Sequence, residues 1–133
     1  MAVRGIHHLG FAVEDLDEAV ETYRRLYGAE VETSASGEGL RGVNVLVGGD
    51  RIELLAADDP ESPVGRFLAR RGPGMHHIAY AVDDIHAEVE ALKAKGVQMI
   101  DAEPRPGLFG HDIAFLQPDS VHGVLTELVA AHG

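Results

Sequence analysis

The sequence predicts an α+β fold of two tandem βαβββ modules, which form a curved mixed sheet around a metal-binding cleft. Three observations predict this fold. A segment of the chain recurs, each copy leads into a helical pattern, and short alternating runs follow each helix. The 133 residues, which include no cysteine, are expected to form a single domain, residues 1–133, without disulfides or thiolate metal sites.

The recurring segment opens each module as a strand. HHLGFAVEDL at residues 7–16 returns as HHIAYAVDDI at residues 76–85, an offset of 69 residues. Because successive side chains of a strand point to opposite faces, His8 and His77 share a face with small residues. The bulky residues of each copy lie on the other face, where we expect a helix to pack.

A helix is predicted after each of these strands. Asp15 and Asp84 stand just before apolar residues at helical spacing, where an aspartate is typical of an N-cap. Gly28 and Gly96 follow the two patterns and predict where the helices end. Between the modules, Ser62 and the proline that follows it predict the start of a connecting helix.

Alternating runs separated by turn residues complete each module. The closing runs are RIELLA at residues 51–56 and LTELVA at residues 125–130, and they place Glu53 and Glu127 in equivalent strands. The modules therefore span about residues 4–57 and about residues 74–130. The connecting helix is expected at about residues 61–71.

Each module thus directs one histidine and one glutamate toward the interior of the sheet. Buried carboxylates without partners are strongly disfavoured, whereas a divalent cation satisfies two imidazoles and two acids together. We therefore expect His8, Glu53, His77 and Glu127 to bind one Co²⁺, Mn²⁺, Fe²⁺, Ni²⁺ or Zn²⁺ ion, with two open positions for a chelating substrate. The alternative is that they are hydrogen-bonded core or rim residues. Their recurrence in both modules favours the metal site.

Composition excludes several kinds of partner. A formal net charge of -11, with 11 lysines and arginines, argues against nucleic-acid binding. No apolar run approaches the ~20 residues that span a bilayer, so we expect no membrane partner. The N-terminus lacks the apolar region of a secretory signal, and together with the absence of cysteine this indicates a cytoplasmic protein.

Longer stretches resemble a known group of metalloenzymes, the vicinal oxygen chelate (glyoxalase/bleomycin resistance/dioxygenase) superfamily. HHLGFAVEDLDEAVETYRRLYG, RIELLAADDPESPVGRFLARRGPGMHHIAYAVDDI and HGVLTELV are most similar to the methylmalonyl-CoA epimerase family within it. The resemblance covers nearly the whole chain and implies the same four metal ligands. It also implies cobalt as the favoured ion, an acyl-CoA substrate and a homodimer.

The activity implied by this resemblance is epimerisation of methylmalonyl-CoA. A base removes the α-proton, a metal-stabilised enolate forms, and an acid returns the proton on the other face. Glu127, the last of the implied metal ligands, is one candidate for these groups. Glu38 is the other, although SASGEGLRG departs from the family's pattern and Glu38 aligns with the family's glutamate only after a shift of one residue. The phosphates of coenzyme A need cations, for which the candidates are Arg66, Arg70 and Arg105.

Two other functions remain open from the sequence. A glyoxalase I-like lyase or isomerase uses the same set of His and Glu ligands. A non-catalytic small-molecule-binding protein of the same fold is the other alternative. With 5% aromatic residues and no tryptophan, the chain offers little stacking surface for that role.

Overall fold

The structure is a computed structural model that describes residues 3–131, within which eight strands and three α-helices form an α+β fold. No helix in that range is long and apolar enough to cross a membrane. The elements follow the predicted order: β1 (Val3–Ala12), α1 (Leu16–Tyr27), β2 (Glu30–Gly37), β3 (Leu40–Val47), β4 (Asp50–Ala57), α2 (Pro63–Arg71), β5 (Gly74–Val82), α3 (Ile85–Ala94), β6 (Arg105–Pro106), β7 (Asp112–Leu116), a 3₁₀ turn (Pro118–Val121) and β8 (Thr126–Ala130).

The strands form one mixed sheet, as predicted. Their hydrogen-bonded order is β2-β3-β4-β1-β5-β8-β7-β6. β1 pairs with β4 and β5 pairs with β8 in parallel, while β2-β3-β4 and β6-β7-β8 are antiparallel. The same arrangement of one parallel and two antiparallel pairs therefore occurs in both modules, which confirms the repeat.

The chain divides into two compact units. The first unit is residues 8–76, which contain α1, α2, β2, β3, β4 and the second half of β1. The second unit combines residues 3–7 with residues 77–131, which contain α3, β6, β7, β8 and most of β5.

The core of the first unit lies where α1 packs on β3 and β4. Leu16, Val45 and Leu54 are buried there, and Phe11 of β1 packs against them. The helix begins at the predicted cap, where the Asp15 side chain accepts a hydrogen bond from the backbone N–H of Glu18 at 3.0 Å. The bulky face of β1 therefore meets a helix, as the alternation predicts.

The second unit repeats this packing around α3. Val82, Val89 and Leu128 are buried together, and the Asp84 side chain accepts a hydrogen bond from the backbone N–H of Ala87 at 3.1 Å. The small-residue face of β5 is partly covered, because Ala79 packs in a separate apolar cluster with Ile113 and Val129, against which Phe115 also packs.

An ion pair links the edge strand β2 of the first unit to β4. Arg51 of β4 donates two hydrogen bonds to Glu32 of β2, at 2.7 and 3.0 Å, and so reaches across β3. The hydrogen bond with Glu32 raises the pKa of Arg51. On the helix side, partial burial raises the pKa of Tyr23, and the nearby Tyr27 adds to the effect.

Candidate metal centre

One His–Glu pair lies in the first unit. β1 and β4 are parallel and place Gly10 opposite Glu53, so His8, two residues earlier on the same face, lies next to the carboxylate. The distance between His8 Nε2 and Glu53 Oε1 is 3.5 Å. Both residues are buried, with exposures of 4% and 8%.

The second unit builds the same pair from β5 and β8. Here Ala79 lies opposite Glu127, and His77 again precedes the paired residue by two. His77 Nε2 lies 3.1 Å from Glu127 Oε1, and the two residues are 3% and 5% exposed. The repeated register therefore gives each unit a buried imidazole beside a buried carboxylate.

Three of the four expected ligands form a candidate metal-binding group. One ligand atom each from His8, His77 and Glu127 lie within 4.8 Å of one another. Glu53 adjoins this group through its contact with His8. Imidazole nitrogens and carboxylate oxygens in a buried setting match the donors that first-row divalent cations prefer. The buried triad therefore fits a divalent metal ion.

The strand beyond each glutamate contributes a neighbour that the sequence analysis missed. In antiparallel register, Asn44 of β3 lies opposite Glu53, and Phe115 of β7 lies opposite Glu127. The Phe115 ring meets the His77 imidazole edge-on, with centroids 5.6 Å apart. One signal was present in the sequence, since Asn44 is a polar residue inside the apolar run GVNVLV.

Glu38 lies at the exposed tip of the β2–β3 hairpin. Glu38 and Gly39 both have positive φ values, 53° and 79°, as in a two-residue type I′ turn. The carbonyl of Gly39 accepts hydrogen bonds from the backbone N–H groups of Asp58 and Asp59, at 2.7 and 3.0 Å. The turn that carries Glu38 is therefore attached to the end of β4, and its catalytic role stays a prediction.

The three arginines predicted to bind substrate lie at the surface. Arg66 and Arg70 are exposed and one helical turn apart on α2. Arg105 of β6 pairs with Asp101 at 2.9 Å, so part of its charge is neutralised locally. Their role as phosphate-binding groups stays a prediction.

Comparison with known proteins agrees with this geometry. The family model described as the Glyoxalase/Bleomycin resistance protein/Dioxygenase superfamily matches residues 7–115. The chain belongs to this superfamily. The matched range contains three of the four expected ligands, His8, Glu53 and His77, and the fourth follows it in β8.

Within the superfamily, the chain is similar to methylmalonyl-CoA epimerases over most of its length. The mitochondrial methylmalonyl-CoA epimerase of Dictyostelium discoideum is 36% identical over 126 residues, 92% of this chain and 76% of that one. A solved structure of methylmalonyl-CoA epimerase in complex with methylmalonyl-CoA and NH4+ is 38% identical, with a TM-score of 0.94, and the match covers 99% of this chain and 97% of that one. The uncharacterized protein YqjC of Bacillus subtilis is also similar, at 34% identity over 96% of this chain and 93% of its own length.

Proposed function

We propose that this protein is a metal-dependent epimerase of methylmalonyl-CoA. The observation that carries the proposal is the likeness, at 38% identity and a TM-score of 0.94, to an epimerase solved with methylmalonyl-CoA. The buried triad of His8, His77 and Glu127 supports it, because a site for a divalent cation is what this reaction needs. Glu53, 3.5 Å from His8, is the proposed fourth ligand.

The proposed reaction moves a proton off and onto the carbon between a thioester and a carboxylate. The bound cation would stabilise the negative charge that develops on the thioester oxygen. Glu127, a buried carboxylate 3.1 Å from His77, is proposed as one proton-transfer group. Glu38 is proposed as the other on the resemblance of its segment, SASGEGLRG, to the epimerase family after a shift of one residue.

Binding of the coenzyme would use the basic residues at the surface. The chain carries a net charge of -11, so phosphate groups need local cations to offset the repulsion. Arg66 and Arg70 are proposed for this task, with Arg105 in a smaller role because it already pairs with Asp101. We propose cobalt as the ion, a homodimer as the assembly and the cytoplasm as the location.

Proton exchange in deuterated water tests the reaction. Cobalt-loaded protein should incorporate deuterium at the α-carbon of methylmalonyl-CoA and convert one stereoisomer into the other, whereas metal-free protein should do neither. Glu127→Gln should lose both activities, and Glu38→Gln should lower the rate without abolishing cobalt binding. Absence of exchange, with turnover of the hemithioacetal of methylglyoxal and glutathione instead, would replace the epimerase by a glyoxalase-like enzyme.

A further inference from the structure

Asn44 is a buried polar residue in the middle of an otherwise apolar strand. It is 5% exposed, and its neighbours Val43 and Val45 pack toward α1 in the core of the first unit. The register places Asn44 opposite Glu53 of β4 on one side and opposite Thr33 of β2 on the other. Directly opposite residues of antiparallel strands project to the same face, so the Asn44 side chain lies beside the Glu53 carboxylate.

Only one end of the Asn44 carboxamide is hydrogen-bonded. Its Nδ2 donates to Thr33 Oγ1 at 3.3 Å, while its Oδ1 is buried and has no hydrogen-bond partner among residues 3–131. A buried acceptor without a partner lowers stability, and such groups are rare in native proteins. An apolar residue at this position would avoid that cost, so we expect the carboxamide oxygen to have a partner other than residues 3–131.

We propose that Asn44 hydrogen-bonds an oxygen atom of the ligand held beside Glu53, and that Thr33 anchors the carboxamide for this purpose. The inference rests on the proposed function, and it assigns to Asn44 the recognition of the acyl group of the substrate. A threonine hydroxyl can donate or accept, so a half-turn of the carboxamide keeps the Thr33 contact. In the observed orientation, Asn44 Oδ1 can accept a hydrogen bond from a water molecule in the resting site. After the half-turn, Nδ2–H can instead donate to a carboxylate or carbonyl oxygen of the substrate.

The second unit has an apolar residue at the position that corresponds to Asn44. The residue at the corresponding register position, opposite Glu127, is Phe115, which has no hydrogen-bonding group and packs edge-on against His77. A polar group of the ligand can therefore be recognised by the cross-strand neighbour of Glu53 but not by that of Glu127. The carboxylate and carbonyl oxygens of a malonyl-type thioester are groups of this kind.

The test compares ligand affinity with the stability of the metal-free protein. Malonate is the probe, because it is the smallest dicarboxylate that resembles the acyl head, and its affinity for cobalt-loaded protein is measured by titration calorimetry. Asn44→Leu should weaken malonate at least about tenfold, the loss of one hydrogen bond to a charged group, while the thermal midpoint of the metal-free protein stays equal or rises. Thr33→Val, which removes only the anchor, should weaken malonate by a smaller factor.

Ser34→Ala is the matched control. Ser34 is exposed on the same strand as Thr33 but pairs with Val43, so it lies on the opposite face of the sheet, and its replacement should leave malonate affinity unchanged. A lower thermal midpoint with unchanged malonate affinity in Asn44→Leu would reduce Asn44 to a structural residue and overturn the inference, with the metal site intact. Failure of the unaltered protein to bind cobalt would instead overturn the proposed function, and this inference with it.

Discussion

The two units place a histidine and a glutamate in the same register, yet they surround that pair differently. In both units the residue paired with the glutamate follows the histidine by two positions. The imidazole and the carboxylate lie 3.5 Å apart in the first unit and 3.1 Å apart in the second. The next strand supplies Asn44 beside Glu53 but Phe115 beside Glu127. The geometry of the His–Glu pair is therefore shared by the two units, while the cross-strand neighbour of the glutamate is polar in the first unit and apolar in the second.

The largest expected effect comes from removing either imidazole. If the units contribute to one ion, His8→Ala and His77→Ala should each weaken cobalt binding by at least about 100-fold, since changes to residues that only support a ligand already cost roughly 10–100-fold. Titration calorimetry measures both variants, with the exposed His86→Ala on α3 as a control that should bind normally. If either His8→Ala or His77→Ala binds cobalt as tightly as the unaltered protein, the two units do not contribute equally to the site.

The next effect separates the two glutamates. Glu127 lies closer to its histidine and is flanked by an apolar ring, so an amide in its place should weaken cobalt more than an amide at Glu53, whose neighbour is a polar carboxamide. We expect Glu127→Gln to lose on the order of 100-fold in cobalt affinity and Glu53→Gln on the order of tenfold. Equal losses would show that the asymmetric surroundings do not matter to the metal.

A smaller effect concerns the hairpin turn that carries Glu38. A Cβ atom at Gly39, whose φ is 79°, would lie 2.7 Å from the Cβ of Asp59. Gly39→Ala should therefore lower the free energy of unfolding by about 2–4 kcal/mol through left-handed strain and overpacking. Gly28→Ala, at φ 67° with no atom within 4 Å, carries only the strain and should cost about 1 kcal/mol. Urea unfolding of both variants checks the difference, and equal losses would contradict the close approach to Asp59.

The smallest effect compares surface cations of the two units. Replacing both Arg66 and Arg70 with alanine should raise the KM for the coenzyme A substrate roughly fivefold at low salt and leave kcat unchanged, because exposed charges contribute little and are screened. Arg105→Ala should change KM by less than about twofold, since Asp101 already holds that guanidinium. A KM that does not depend on salt would remove all three arginines from phosphate binding.

The elements that recur in the chain could be predicted from the sequence. The helix caps at Asp15 and Asp84 and the closing strands with Glu53 and Glu127 follow from local patterns and the repeat. β6 is the exception, because it has only two residues where β2, its counterpart, has eight. Pro104 and Pro106 lack backbone N–H groups, which limits the hydrogen bonds that this edge of the sheet can form.

The surroundings of the site could not be predicted, because they depend on register between strands. The β2–β3 ladder shifts between Val31 and Thr33, so counting residues from the turn does not show which β2 residue meets Asn44. Likewise, the contact between Phe115 and His77 joins strands far apart in the chain. A one-residue slip would exchange the faces, so only the three-dimensional pairing identifies these neighbours.

The most direct test of the central claim is the stoichiometry of cobalt binding. Titration calorimetry and the visible d–d spectrum of the bound ion both measure it. The account predicts one Co²⁺ per chain, and it predicts that His8→Ala in the first unit and His77→Ala in the second each abolish the same spectral band. Two ions per chain, or a band that persists after either histidine is replaced, would contradict a single site built by both units.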